Sequence, residues 1–418
     1  MDVQNKRIVI CCDGTWNSPS EPTNVVKLLR SIRPYSEDGK HQVVFYDQGV
    51  GTYNLFDKII GGAFGKGLEQ NVLDAYRFIA HNYQQGDEIF CFGFSRGAYT
   101  ARALGGMLHS VGLLPKDELH QLPAAYKYYR TPPNKRGNQD YGQNEKPQIK
   151  LMAVWDTVGA LGAPTPILGR LSKSLVGFFN TDLSPDIENA YHALAMDEKR
   201  GVFQPDLWTG IIGKDQTVEQ VWFSGVHSDV GGGYEQATLS DVALSWMVHK
   251  AEALGLDFAQ EYPSCIGEVH TGDLHDSYSW LYKGMERVGV KEGVRELQGE
   301  IDNPPINILI HESVIERMDQ DASYQPVNFI DTLPVARTND RRHFTRLKSE
   351  HLEGLLQVDD KAVSCEILDY SREGGAKIQC NHGLAVSDTL AVSWGEFTET
   401  LATCVWHEGN LYGLKFAA

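Results

Sequence analysis

No apolar run in this 418-residue sequence is long enough to cross a bilayer as a helix, and the opening "MDVQNKRIVICCDG" has too short an apolar stretch for a secretory leader. Cysteine is scarce and odd in number. Seven residues without close metal-type pairs exclude a disulfide framework and give no reason to expect a metal site. Positive charge is also in deficit: 38 Lys and Arg face 55 Asp and Glu, and the net charge of -17 argues against a nucleic acid polymer as partner. The phosphate-loop pattern G-x-x-x-x-G-K-[ST] does not occur, nor does any internal repeat or low-complexity segment. A reducing, cytoplasmic setting is expected.

The chain exceeds the size of one ordinary core, so two or more domains are expected. Continuous apolar runs at 7–12, 42–47, 88–94, 149–156 and 219–226 read as strands covered on both faces. Between them, 68–83 and 239–256 carry apolar residues at helical spacing, the second with Ser240 as N-cap and Gly255 near its stop. This alternation predicts a parallel α/β sheet flanked by helices. Pro304, Pro305, Pro326 and Pro334 break 257–335 into short pieces, for which no element is assigned. Beyond Ala336, short segments rich in Val, Ile and Leu alternate with Gly, Asn, Asp and Ser, the pattern of a small antiparallel β-barrel. The expected domains are 1–335 and 336–418.

The stretch "EIFCFGFSRGAYTARAL" (88–104) sets Ser95 between Gly93 and Gly97, after an apolar strand and before a helix. A nucleophile elbow needs this combination, because the turn runs close to neighbouring backbone and the helix N-terminus supports an oxyanion. A serine needs a base, and the base an acid to orient it. The next strand tip carries Asp156 and the one after it His227, in the order expected of such a sheet. Asp229 is a rival acid and His311 a rival base, with His407 a weaker one. Taken singly, Asp156 also fits a turn cap and His227 a buried core histidine. The oxyanion donors would be the amide of Arg96 and the loop "CCDGTWN", with Gly14 and Thr15, whereas Asp13 alternatively holds that loop through its own backbone. A metal on Asp13 and Asp229 is not demanded by any ligand cluster. The apolar piece in 163–185 reads first as a packing segment and second as a lid.

In the C-terminal part, "RRHFTR" (341–346) places Arg342 and Arg346 four residues apart, so that both guanidiniums can meet one ligand. Arginine forks suit phosphate and the guanine edge. In "DYSREG", Asp369 can accept from a guanine N–H, Ser371 can bond phosphate or backbone, and Gly374 allows close approach. Residues 336–418 hold 9 Lys and Arg against 12 Asp and Glu, so the arginine cluster is a basic spot on an acidic domain.

Together "CCDGTWN", "YDQGVGT", "GFSRGAYTAR", "VWDTVGA", "ENAYHALAMDEKR" and "FSGVHSDVGGGY" resemble, in order over about residues 6–330, the α/β-hydrolase family that includes phospholipase effectors of type VI secretion. The resemblance implies ester hydrolysis by a Ser-Asp-His triad at Ser95, Asp156 and His227, with no cofactor. R-x-x-x-R followed by D-x-S-x-x-G and the ending "CVWHEGNLYGLKF" resemble a PilZ domain, the bacterial receptor for cyclic di-GMP. That resemblance implies a dinucleotide clamp of Arg341, Arg342 and Arg346, completed by Asp369, Ser371 and Gly374. The joint expectation is a cytoplasmic hydrolase of ester or lipid substrates, touching membrane surfaces transiently and regulated by cyclic di-GMP. The alternative is a signalling adaptor that uses the hydrolase fold as a docking surface.

Overall fold

Runs that are apolar at most positions offer little solvent face, and in the middle of a sheet they become buried parallel strands. A computed structural model of the chain describes residues 5–14, 22–49, 63–137, 141–158, 181–259, 272–277, 293–299, 303–338, 347–358, 361–371, 375–394 and 397–416. The chain divides into two compact units that part between residues 339 and 340.

The first unit is built on β1 (Arg7–Cys12), β2 (Gln42–Asp47), β3 (Glu88–Phe94), β4 (Ile149–Trp155), β5 (Asn189–Ala195), β6 (Thr217–Phe223), β7 (Ile308–His311) and β8 (Val335–Ala336). These form one sheet in the order β2-β1-β3-β4-β5-β6-β7-β8, with every neighbouring pair parallel. The helices are α1 (Asn24–Ser31), α2 (Ala63–Asn82), α3 (Arg96–Val111), α4 (Leu122–Arg130), α5 (His227–Gly231), α6 (Thr238–Ala253) and α7 (Glu312–Gln320). Val72, Tyr76 and Ile79 of α2, Leu104 and Met107 of α3 and Ala125 of α4 join Ile8, Ile10, Ile89 and Met152 in one core. Elsewhere α1 meets α6, where the buried Asn24 donates to the carbonyls of Val230 and Ser240 at 2.9 and 2.8 Å. All five expected strands are present, but β2 is not covered on both faces: it forms the edge of the sheet, only Gln42 is fully buried and Tyr46 is exposed. β5, β7 and β8 were not foreseen. β5 lies in "NAYHALA", whose alanines and histidine weaken the β signal although the strand is buried from Ala190 onward. Ser240 does not cap α6: Ala237 occupies that position, and the Ser240 hydroxyl donates to the Ala237 carbonyl at 2.9 Å.

Strand order reverses once, between β1 and β3, and the loops after these two strands therefore open a crevice at their carboxyl ends. The loop after β1 is held by Asp13. Its Oδ1 accepts from the Gly14 amide at 2.7 Å and the Thr23 hydroxyl at 2.9 Å, and its Oδ2 from the Tyr46 hydroxyl at 3.0 Å. After β3 the chain turns sharply into α3. A Cβ on Gly97 would stand 2.1 Å from the Cys12 carbonyl oxygen, and one on Gly93 2.6 Å from Ala98 Cα. The corner of β3 and α3 thus rests directly on the end of β1.

The second unit is a closed antiparallel barrel, β10-β11-β14-β13-β12-β9, from β9 (Leu347–Val358), β10 (Lys361–Ser371), β11 (Gly375–Gln379), β12 (Thr389–Trp394), β13 (Phe397–Glu408) and β14 (Leu411–Phe416). It has its own core, including Leu356, Ile367, Ile378, Val392, Cys404 and Leu414.

Two measurements test this frame. Gly97→Ala cannot be accommodated without moving β1 from α3, and we expect a loss of about 3 kcal/mol or more in urea unfolding, against a surface Gly→Ala change such as Gly137→Ala, where a Cβ meets nothing within 4 Å. Asp13 supplies a pH signature. Burial raises its carboxyl to about 6 despite its hydrogen bonds. The folded chain therefore binds this proton more tightly than the unfolded chain. The resulting stabilisation is present below the ordinary carboxylate range and is lost as pH rises to about 6, roughly 3 kcal/mol in all. Subtracting the urea stability of Asp13→Asn from that of wild type should give a difference that falls from pH 4 to pH 7; parallel profiles would contradict it.

Candidate active site

Ser95 sits between β3 and α3 with φ +57° and ψ -120°, a conformation that L-residues adopt only where surrounding structure imposes it. Its amide donates to the Trp155 carbonyl at 3.0 Å, joining the corner to the end of β4. Arg96 opens α3, in the turn whose amides have no partner within a helix. Gly14 lies against this corner: a Cβ there would be 3.4 Å from Ser95 Cβ. Its own amide points to Asp13, so what Gly14 offers Ser95 is close backbone approach. Thr15 lies outside the described residues.

Asp156 follows β4 with φ +38° and is fully buried. Its Oδ2 is 2.5 Å from His227 Nδ1. Oδ1 accepts from the Ala195 amide at 3.1 Å, and the guanidinium of Arg295 spans both oxygens, Nη1 to Oδ1 at 2.6 Å and Nη2 to Oδ2 at 2.9 Å. Burial by itself would raise this carboxyl. The Arg295 charge and the His227 hydrogen bond outweigh it and hold the group well below the usual carboxylate range. With the acid ionised, His227 Nδ1–H donates to it and Nε2 is left able to accept a proton.

His227 opens α5. Burial lowers its proton affinity, and the Asp156 carboxylate offsets part of that shift. Its backbone amide donates to Glu198 Oε2 at 3.2 Å. Its ring packs on Phe94, centroids 4.7 Å apart, and meets Phe203 edge-on at 5.1 Å. Phe94 immediately precedes Ser95, so this contact brings the base beside the serine corner. Gly231 makes room for it, since a Cβ there would fall 1.9 Å from the Phe94 ring. Glu198 is itself buried and paired with Arg200 at 2.8 Å, and its carboxyl is lowered to about 2, where burial is outweighed by the Arg200 hydrogen bonds and charge.

The rival acid and bases are engaged elsewhere. Asp229 accepts from the Val226 amide at 3.0 Å and pairs with His275 Nδ1 at 2.6 Å. His311 caps α7, with Nδ1 2.8 Å from the Ser313 hydroxyl and Nε2 2.9 Å from that of Thr338. His407 lies exposed on β13 of the barrel. Among the described residues no group of three or more His, Cys, Asp or Glu is placed to hold a metal ion. Sequence reasoning did not find Arg295, Glu198 or Phe203. Glu198 stood inside a quoted motif, whereas Arg295 lies in a stretch to which no element was assigned.

On the barrel, Asp369 and Ser371 lie on β10, where Asp369 pairs in register with Lys377 and Lys348, beside a bulge after Ile367. Arg341, Arg342, Arg346 and Gly374 lie outside the described residues, as does 163–180 of the segment weighed as a lid.

Residues 6–250, more than half of the chain, match the family model "T6SS, Phospholipase effector Tle1-like, catalytic domain". The chain is 27% identical over 229 residues to YEL023C, an uncharacterized protein of Saccharomyces cerevisiae, covering 48% of this chain and 32% of that one. An uncharacterized protein from Pseudomonas aeruginosa of known crystal structure aligns with TM-score 0.35 and 17% identity over 61% of this chain and 46% of that one. The structure of the Tle1 effector bound to the VgrG spike from the type 6 secretion system aligns with TM-score 0.39 and 14% identity, over 69% and 81%. The chain thus spans a third of the yeast protein's length and under half of the Pseudomonas protein's. A serine corner at the β1–β3 crevice, a buried Asp156–His227 pair and a match across 6–250 place the chain in the family of Tle1-like phospholipase effector catalytic domains.

Proposed function

We propose that this chain hydrolyses carboxylic esters of lipids by a Ser95–His227–Asp156 triad, in the cytoplasm and in transient contact with membrane surfaces. The observation that carries the reading is the 2.5 Å contact between His227 and a buried, ionised Asp156, in a chain of a phospholipase catalytic family. Ser95 Oγ attacks the ester carbonyl while His227 Nε2 takes its proton. His227 returns that proton to the departing alcohol, which leaves an acyl-serine. Water then repeats the sequence, releasing the fatty acid and restoring the serine. Asp156 holds the imidazole in the tautomer with Nδ1–H and stabilises the imidazolium. The Arg96 amide meets the oxyanion, with the Gly14 backbone against the Ser95 corner.

The barrel is read in the same proposal as a PilZ-type receptor for cyclic di-GMP. Arg341, Arg342 and Arg346 clamp the phosphates and a guanine edge, and Asp369, Ser371 and Gly374 complete the site. Support comes from the closed six-strand architecture and from the bulge that sets Asp369 and Ser371 at the end of β10. Regulation follows if the dinucleotide prefers one of two states of the protein that differ in activity.

Ser95→Ala should lower turnover of p-nitrophenyl acyl esters and of phospholipid vesicles by about a thousandfold or more. Unchanged turnover removes the serine from the chemistry, and no turnover by wild type favours the adaptor. Calorimetry with cyclic di-GMP should give binding to the full chain that Arg342→Ala and Arg346→Ala each weaken at least about tenfold. Equal affinity in all three proteins refutes the clamp.

A further inference from the structure

We propose that Arg295 is a positioning residue for His227, its guanidinium fixing the carboxylate that orients the imidazole and the backbone of the phenylalanine that packs on it. The inference rests on the triad reading above and names a residue outside the segment matched to the family, which ends at 250.

Arg295 is buried to 1% exposure, and its side chain makes four bonds that converge on the base. Two form the fork on Asp156, at 2.6 and 2.9 Å. A third goes from Nη1 to the Ala195 carbonyl at 2.7 Å, on the residue whose amide donates to Asp156 Oδ1. The fourth goes from Nη2 to the Phe203 carbonyl, and the Phe203 ring meets the His227 ring. Arg295 is held in turn by Asn328, whose Nδ2 donates to the Arg295 carbonyl and to that of Met196, both at 3.1 Å. One planar cation thus ties the acid and one wall of the base's pocket into a single rigid piece. A planar fork locks the rotation of a carboxylate in a way that a single ammonium does not.

The charges around the pair show why a cation is required there. Asp156 and Glu198 are both buried anions near the imidazole. Arg200 is committed to Glu198, with Nε and Nη2 each 2.8 Å from its oxygens. His192, buried on β5, accepts from the Thr157 amide at 3.0 Å, and burial lowers its pKa to about 3, so it is neutral. Among the described residues Arg295 is the cation bonded to Asp156. Without it the carboxylate would keep the Ala195 amide and the imidazole as its bonded partners among the described residues, and the Asp156–His227 pair would take up a proton more readily. A pair already protonated cannot accept the serine's proton.

The test compares the full chain with Arg295→Met, similar in volume and uncharged, and Arg295→Lys, charged but without the fork. The pH dependence of kcat/KM on a short p-nitrophenyl ester is measured together with the titration of 15N-labelled His227. In Arg295→Met we expect the acidic limb and the His227 midpoint to move up by about one pH unit or more, with kcat at neutral pH at least about tenfold lower and partly recovered at higher pH. In Arg295→Lys both midpoints should stay near wild type while kcat falls severalfold, because charge is kept and orientation is lost. A folded Arg295→Met with wild-type midpoints overturns the proposal even if its rate is reduced, since a purely structural role lowers the amount of active protein without moving a titration. If Arg295→Met does not fold, wild-type kcat in Arg295→Lys overturns it. If Ser95→Ala proves as active as wild type, the triad reading fails separately. The His227 titration then decides on Arg295: an upward shift in Arg295→Met supports the clamp, and an unmoved midpoint refutes it.

Discussion

A carboxylate with no access to water is the constraint around which the first unit is arranged. Asp156 is fully buried at the end of β4, and a bare charge there would be costly enough to force its protonation. It stays ionised because each of its oxygens is met from two sides, by the Arg295 fork, the Ala195 amide and the His227 imidazole. These partners come from the ends of β5 and β6 and from the segment 293–299, so satisfying one charge joins pieces far apart in sequence. A buried ion pair of this kind is weak support for net stability. What it supplies is a single geometry for the imidazole.

Parallel topology determines where that geometry is available. Every strand in the sheet of the first unit runs the same way, so the loops after β1, β3, β4, β5 and β6 emerge at one edge. At the β1–β3 reversal, connections leave in opposite directions and a crevice opens between them. Ser95 stands at this reversal, Asp156 one strand further and His227 two strands beyond that. The serine's unfavourable dihedrals are imposed by close packing: Gly97 rests on the Cys12 carbonyl, Gly93 on Ala98, and the Ser95 amide is held by Trp155. Strain at such a corner points the side chain out of the sheet edge and is sustained by the buried strands beneath it.

The second unit solves a different problem. An antiparallel sheet of short strands exposes edges, and closing it into a barrel removes them. Alternation along β12, with Leu390, Val392 and Trp394 inward, fills the interior, and Cys404 of the neighbouring β13 and Leu414 of β14 join the same core. The bulge between Ile367 and Asp369 shifts the register of β10 against both neighbours, a device that locally bends a strand.

Much of this was legible in the residues. Five largely apolar runs read as strands, so the parallel sheet and the tips bearing Ser95, Asp156 and His227 followed from local chemistry; that β2 would be a partly exposed edge strand did not, because edge position is set by strand order. The Val-, Ile- and Leu-rich C-terminal segments carried the barrel in the same way. "NAYHALA" was illegible as a strand, because alanine and histidine contribute little β signal and only the neighbouring strands bury it. The division of labour among histidines was also hidden. His227, His275 and His311 are alike as sequence, and what separates them is which acceptor packing brings to each ring: Asp156, Asp229 or the hydroxyls of Ser313 and Thr338. Arg295 shows the limit most clearly. It lies 139 residues from the carboxylate it neutralises, in a stretch with no periodicity, and no local pattern encodes a contact that depends on how the whole sheet closes around one charge. Sequence determined the elements and the corner, because those rest on hydrophobicity and backbone freedom within a few residues. Tertiary structure decided the electrostatics of the site, because desolvation and pairing arise only when distant segments exclude water together.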